Sequence, residues 1–162
     1  MGKIILPILI LFATACSVTK PTQLMHPYSG NAIGCGNFII YQLTEDNQEY
    51  VSIKVDINSI AVQSMQSYAL GKAQVVSVTR KKFDGMINQA LCNDVMVDKP
   101  RKLLEEEAQD GILEVFLTES EIEKASNREP FIVTVVIKKV SFETMSIDYL
   151  RIENVNVGWL PG

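Results

Sequence analysis

The 162-residue sequence contains a single histidine, His26, and has no glycine-rich phosphate loop or EF-hand pattern. Nucleophile systems that pair serine or cysteine with histidine need an imidazole beside the nucleophile. His26 lies in a stretch interrupted by proline and glycine, where we expect a lone solvated side chain rather than a metal ligand. We therefore expect a protein that is not an enzyme and holds no metal or cofactor. A carboxylate pair of the glycosidase kind is the catalytic alternative.

Positive charge is scarce as well. Lys and Arg number 15 against 19 Asp and Glu, which gives a formal net charge of −4. This acidic balance argues against a general nucleic-acid binder. Hydrophobic residues make up 47% of the chain, enough for a core and too many for a wholly disordered chain. The length is that of one ordinary domain.

No hydrophobic run in the sequence reaches the roughly 20 residues that a membrane-spanning helix needs. The longest one lies at the start, where Lys3 is followed by an almost unbroken apolar run, Ile4–Ala13. A short basic segment followed by about ten apolar residues is typical of a secretory signal. We therefore predict a signal peptide over residues 1–15. Its removal also removes Lys3, which lowers the net charge from −4 to −5.

The end of this segment, Ala13-Thr14-Ala15-Cys16, resembles the lipobox of bacterial lipoproteins. The resemblance implies that Cys16 is lipidated and becomes the new N-terminus, which would attach the protein to a membrane through its N-terminal lipid. Ala13 departs from the family pattern, in which Leu, Val or Ile is usual. Because Ala13-Thr14-Ala15 also fits a small-x-small cleavage site, the alternative is an ordinary secreted protein with a free Cys16.

The whole plan of the chain is similar to that of small uncharacterised lipoproteins of the Bacteroidota type. That resemblance implies an exported protein, most simply at the outer membrane, in its periplasmic or surface leaflet. Pro21, Pro27, Gly30 and Gly34 interrupt any periodicity after Cys16, so residues 16–34 are predicted to form the lipidated N-terminus and a flexible tether. Residues 35–162 would form the folded domain.

Predicted export bears on the state of the two remaining cysteines. Cys35 and Cys92 are predicted to form a disulfide, because an oxidising compartment favours pairing. The bond would close a loop of about 58 residues, worth on the order of 4 kcal/mol in the chain-entropy model. Two buried free thiols are the alternative. A zinc site is disfavoured because two cysteines without a nearby histidine fall short of four ligands.

The domain is expected to be all-β and mainly antiparallel. In Val51–Asn58 apolar and polar residues alternate without error, which is the period of a half-buried strand, and Phe38–Leu43 before it completes a predicted hairpin. A bulge or bend is expected at Lys138-Lys139, near the middle of a long β-branched run, and a bulge at Glu153-Asn154, where the alternation changes phase. Further strands are predicted over Gln74–Arg80, Leu113–Leu117, Phe131–Phe142 and Ile147–Val157.

These strands predict an immunoglobulin-like or related β-sandwich of about six to eight strands, with one possible short helix. The antibody signature is absent because no tryptophan lies between the two domain cysteines. The short helix would span Pro100–Ala108, with Asp98 as its N-cap and Gly111 ending it; a charged loop is the alternative.

Trp159, near the end of the chain, either covers one open end of the sandwich or contacts a ligand or partner. Asn93, Asp94 and Asp98 beside Cys92 fit a capped turn or, alternatively, calcium. The leading hypothesis is a noncatalytic, membrane-anchored envelope lipoprotein that serves as an interaction or structural module with a protein partner. The alternative is a carbohydrate-binding accessory module, for which the candidate platforms are Trp159, Tyr41, Tyr68 and Tyr149.

Overall fold

The computed structural model describes residues 26–59, 63–71, 75–87, 91–92 and 100–158. This part of the chain holds nine β-strands, one α-helix and one short 3₁₀ helix, Ile57–Ser59. The other elements are β1 (Ala32–Cys35), β2 (Ile39–Leu43), β3 (Glu49–Val55), β4 (Met65–Ala69), β5 (Val76–Phe83), β6 (Lys102–Glu107), β7 (Asp110–Phe116), α1 (Glu119–Ser126), β8 (Phe131–Ser141) and β9 (Ser146–Val157).

The strands form two sheets whose neighbours are all antiparallel. Sheet A has the order β1-β2-β3-β5-β6 and sheet B the order β4-β7-β8-β9. Their inward-facing side chains share one core, in which Phe38 meets Phe131 edge to face at a ring-centroid distance of 5.9 Å. The predicted antiparallel β-sandwich with one short helix is therefore confirmed, with nine strands where about six to eight were expected.

The hairpin β2–β3 follows directly from the alternation in the sequence. Ile40 and Ile53 face each other in the register and are both fully buried. In the turn between the strands, Thr44 Oγ1 donates to Asp46 Oδ1 at 2.6 Å, and the Gln48 backbone N–H donates to the same oxygen at 3.1 Å. Asn47 takes the left-handed conformation, with φ of 54°, that asparagine tolerates better than most residues.

Both predicted bulges are present. Lys139 has a φ of 51°, and Ile137 and Val140 on either side of it both enter the core. Asn154 has a φ of 56°, and Ile152 and Val155 likewise both enter the core, although they are three residues apart. Each bulge inserts one residue, so the strand changes phase and keeps its apolar side chains inward.

The expected position of the short helix, Pro100–Ala108, was wrong. Residues 102–107 form strand β6 rather than a helix, because their charged side chains have partners on β5: Lys81 Nζ lies 2.7 Å from Glu105 Oε1. The helix lies instead at Glu119–Ser126. It begins at Thr118, whose side chain accepts a hydrogen bond from the Glu121 backbone N–H.

The expected boundary between tether and domain at residue 35 is too late. Tyr28 is only 1% exposed and belongs to the core, and its hydroxyl donates to Glu49 Oε1 at 2.5 Å. The backbone N–H of Gly30 donates to the Leu43 carbonyl oxygen at 2.9 Å, and β1 begins at Ala32. Residues 28–34 are therefore part of the folded domain.

Candidate interaction surface

Part of the outer face of sheet A is covered by described residues of the segment that connects β5 to β6. Ile87 from this connection forms a buried cluster with Leu43 and Tyr50, against which the side chains of Ile33, Tyr41, Phe83 and Leu91 pack. The Ile87 backbone N–H donates to the Asn47 carbonyl oxygen at 2.7 Å. We call this surface the covered face.

The predicted disulfide fastens this connection to the edge of the sheet. Cys92 is bonded to Cys35 at the end of β1, and the two Cα atoms lie 5.6 Å apart, within the usual range for a disulfide. The predicted pairing is thus confirmed. The bond holds a second apolar layer on sheet A, outside the core between the sheets.

The outer face of sheet B carries exposed apolar side chains. Among the described residues, six large hydrophobic side chains are exposed, and four of them lie on this face: Met65, Ile112, Ile132 and Tyr149, between 40% and 52% exposed. We call this surface the open face. It comprises the outward side chains of four strands: Met65, Ser67 and Ala69 on β4, Ile112, Glu114 and Phe116 on β7, Ile132, Thr134, Val136 and Lys138 on β8, and Tyr149, Arg151 and Asn156 on β9.

Charged side chains on the open face are neutralised locally. Lys138 Nζ lies 2.7 Å from Glu114 Oε1. The Arg151 guanidinium lies 2.5 Å from Glu153 and 5.9 Å from the centroid of the Phe116 ring. The hydrogen bond from Arg151 to Glu153 raises the pKa of the guanidinium, so Arg151 stays charged. A partner approaching this face would meet apolar spots separated by paired charges, as in the polar and apolar mixture of transient protein interfaces.

The centre of the open face is apolar and shielded. Val136 is 1% exposed although it points away from the core, and in the register it lies between Glu114 and Arg151. Long charged side chains can cover an apolar neighbour with their aliphatic stems. Rotation of these stems away from Val136 would enlarge the apolar contact area offered to a partner.

The candidate aromatic platforms differ in exposure. Tyr149 is 46% exposed on the open face. Tyr41 packs edge to face against Tyr50, at a centroid distance of 5.1 Å, and Tyr68 packs against the core while its hydroxyl donates to the Gln66 side chain. Tyr149 is thus the one of these three tyrosines that can offer its ring to a ligand.

Several predicted site residues lie outside the described residues: Cys16, Trp159, Asn93, Asp94 and Asp98. Their roles remain predictions. His26 was expected to be solvated, but it is partly buried, its ring lies 6.5 Å from that of Tyr28, and burial lowers its pKa. Within the part of the chain that is described, no group of three or more His, Cys, Asp or Glu side chains is placed to hold a metal.

One end of the sandwich contains a buried charge cluster that was not predicted from the sequence. Arg80 Nε lies 2.5 Å from Glu49 Oε1, and Arg80 Nη1 lies 2.8 Å from both Glu106 Oε2 and Thr144 Oγ1. Burial opposes ionisation of Glu49, but hydrogen bonds from Arg80 and Tyr28 outweigh it, and the pKa of Glu49 is lowered. Because the charges are paired and hydrogen-bonded, the cluster ties strands and turn together rather than offering a free reactive group.

The other end of the sandwich contains a cavity of about 500 Å³ beneath α1. Ile57, Leu117, Ile122 and Ala125 supply its apolar wall, and Arg128 and Glu129 lie among its polar lining residues. Gly158, the last described residue, also lines it. Ser126 lines it as well, and its hydroxyl donates to the Ile122 carbonyl oxygen at 2.9 Å.

The comparisons with known proteins found no relative of this chain. No protein-family profile matches the chain, and neither a curated protein nor a solved structure is significantly similar to it. Among the described residues no helix is both long and apolar enough to cross a membrane.

Proposed function

We propose that the protein is a noncatalytic, membrane-anchored module of the bacterial cell envelope that binds a protein partner through its open face. The observation that carries this proposal is the concentration of four exposed large hydrophobic side chains on one sheet face. Apolar side chains gathered on one exposed face mark an interaction site more often than exposed apolar residues scattered singly do. The neighbouring ion pairs would form the polar part of such an interface.

The anchor in this proposal is a lipid on Cys16, supported by the apolar run Ile4–Ala13 and the lipobox-like residues after it. Tyr28 is in the core, so about a dozen residues connect Cys16 to the folded domain. At 3.3–3.6 Å per residue this connection spans at most about 40 Å. The open face would therefore work close to the membrane, where a partner in the same envelope layer is within reach.

Binding through the open face can be tested by photocrosslinking in the native bacterium. A photoreactive amino acid in place of Ile112 should give a discrete crosslinked product. The same substitution at Met86, which is 68% exposed but lies in the β5–β6 connection, is the matched control. Loss of the product when Phe116→Glu is added, at unchanged protein level, would support the open face. Equal products from both positions would contradict it.

Anchoring is tested separately by fractionation. The Cys16→Ala variant should move from the membrane fraction to the soluble fraction, because the lipid is attached to the sulfur of Cys16. A variant that stays with the membrane would refute the anchor and leave the proposal about the open face standing.

A carbohydrate-binding module is the second candidate, favoured by the exposed ring of Tyr149. Aromatic rings exposed on a sheet are suitable surfaces for stacking against sugars. Binding of the purified chain to cell-envelope polysaccharides, lost on Tyr149→Ala and kept on Tyr41→Ala, would favour this candidate over the protein partner.

A further inference from the structure

Strand β4 forms one edge of sheet B and leaves a row of backbone groups without partners in that sheet. Its one neighbour among the described strands is β7. The Leu117 N–H donates to the Ser64 carbonyl at 3.0 Å, and the Leu70 N–H donates to the Gly111 carbonyl at 2.9 Å. Because bonded positions alternate along an antiparallel strand, the backbone groups of Met65, Ser67 and Ala69 point away from β7.

The other edges of the two sheets are protected in the ways that natural proteins use. Four of the six residues of β6 are charged. Strand β9 carries charged residues and the bulge at Asn154. Strand β1 lies against β9, so closely that a Cβ on Gly34 would come within 2.1 Å of the Asn156 carbonyl oxygen.

Strand β4 has none of these protections. Its sequence Met-Gln-Ser-Tyr-Ala contains no charge and no proline, and none of its residues has a positive φ. The side chain of Met65 is 52% exposed beside this edge. An uncharged, regular edge strand is a template for pairing with another strand.

We propose that β4 pairs antiparallel with β4 of a second copy of this chain and so joins two B sheets into one sheet of eight strands. Ser67 is the central residue of the five in β4, and its backbone groups point outward, as a two-fold axis through a hydrogen-bonded pair requires. On this register Met65 lies opposite Ala69 of the second copy, so a large side chain faces a small one. About six backbone hydrogen bonds would form without bringing like charges together.

A second copy of this chain fits this edge better than a charged strand does. When two copies of β4 pair, the free backbone groups of both strands gain hydrogen-bond partners at once. A two-fold dimer closes, and no unprotected copy of β4 is left over. The axis runs perpendicular to the sheet, so the two open faces lie on the same side. Met65 is next to Phe116 in the register, and the apolar residues of the two open faces would therefore meet at the seam.

The test uses the purified full chain with Cys16→Ser, so that no thiol at residue 16 interferes, and measures its mass in solution over a range of concentrations. We expect a concentration-dependent dimer. Ser67→Lys places two lysines directly opposite each other across the axis and should raise the dimer dissociation constant at least about tenfold, because like charges juxtaposed at an interface cost several kcal/mol. Ser67→Thr is the matched control and should keep the dimer, since threonine suits a strand.

Crosslinking checks the register without depending on dimer affinity. Paired residues in this register have Cα atoms about 5.5 Å apart, a distance that a disulfide can bridge. Ser67→Cys should therefore form an intermolecular disulfide under mild oxidation much faster than Ser126→Cys, which lies on the exposed side of α1. A monomer at all concentrations, or equal crosslinking from the two positions, would overturn the proposal. Either result would leave binding of a partner through the open face untouched.

Discussion

The covered face and the open face belong to similar sheets but are treated differently by the rest of the chain. On sheet A, Tyr50 is 7% exposed beneath the β5–β6 connection, whereas Tyr149 on sheet B is 46% exposed. The connection that buries Tyr50 is held by a covalent bond at Cys92, and the open face carries ion pairs instead. Apolar side chains therefore serve stability on one face and remain available for contact on the other.

The difference also shows why the disulfide is placed where it is. Sheet A packs against sheet B on one face, so packing its other face needs a second apolar layer. A single connecting segment buries little area of its own, and burial alone therefore holds it weakly. Closing the loop covalently lowers the entropy of the unfolded chain and stabilises the docked segment. No described residue forms such a layer on the open face, so its exposed apolar area is a cost that a binding role would offset.

The largest expected effect on the free energy of unfolding comes from removing the Cys35–Cys92 disulfide, which holds the segment over the covered face. Cys35→Ser with Cys92→Ser should lower the free energy of unfolding by about 4 kcal/mol, the loop entropy of the chain between them. Urea denaturation of the purified chain with and without a reductant measures it. Cys16→Ser is the control. Its unfolding midpoint should equal that of the unsubstituted chain, both with and without the reductant. An equally stable double variant would mean that the bond contributes nothing to holding the segment.

The next effect compares one substitution on the two faces. Ile87→Ala removes a side chain that is 4% exposed on the covered face and should cost about 2–3 kcal/mol. Ile112→Ala removes a side chain that is 40% exposed on the open face and should cost under about 0.5 kcal/mol. Urea denaturation of both variants gives the two differences. Equal costs would show that the open face is as tightly packed as the covered one, contrary to its exposure.

Features set by local alternation were predictable from the sequence. The β2–β3 hairpin follows from strict period-two alternation, and the bulges at Lys139 and Asn154 follow from a change of phase within an otherwise regular strand. In each case the neighbouring side chains alone decide which face is apolar. The pairing of Cys35 with Cys92 was also predictable, because few cysteines leave few pairings.

Features set by distant partners were not predictable in the same way. The acidic residues of β6 pair with basic residues on β5, and the buried Tyr28 hydroxyl donates a hydrogen bond to Glu49. No local pattern encodes either contact. Helix α1 is different, since Thr118 followed three residues later by Glu121 fits the capping-box signature and could have located the helix. The open face itself depends on where the β5–β6 connection lies, which only the fold reveals.

The smallest effect extends the comparison from apolar side chains to carboxylates. The two glutamate side chains are similarly shielded, at 10% exposed for Glu49 and 15% for Glu114, but their partners differ: Arg80 is 11% exposed and Lys138 is 39% exposed. Glu49→Gln should cost about 1.5 kcal/mol at pH 7, since hydrogen bonds to buried charged groups are strong. Glu114→Gln should cost under about 0.5 kcal/mol, as surface ion pairs usually do.

The pH dependence of stability separates a lost charge from lost packing. The pKa of Glu49 in the folded chain is lowered because hydrogen bonds from Arg80 and Tyr28 outweigh the effect of burial. Its stabilising contribution is therefore present above the unfolded value of about 4.3 and is lost as the pH falls through the lower folded value. Stability of the Glu49→Gln variant should fall less steeply than wild type below pH 4.3. Parallel curves would mean that Glu49 acts through its shape, and the contrast between buried and exposed charge would then not hold.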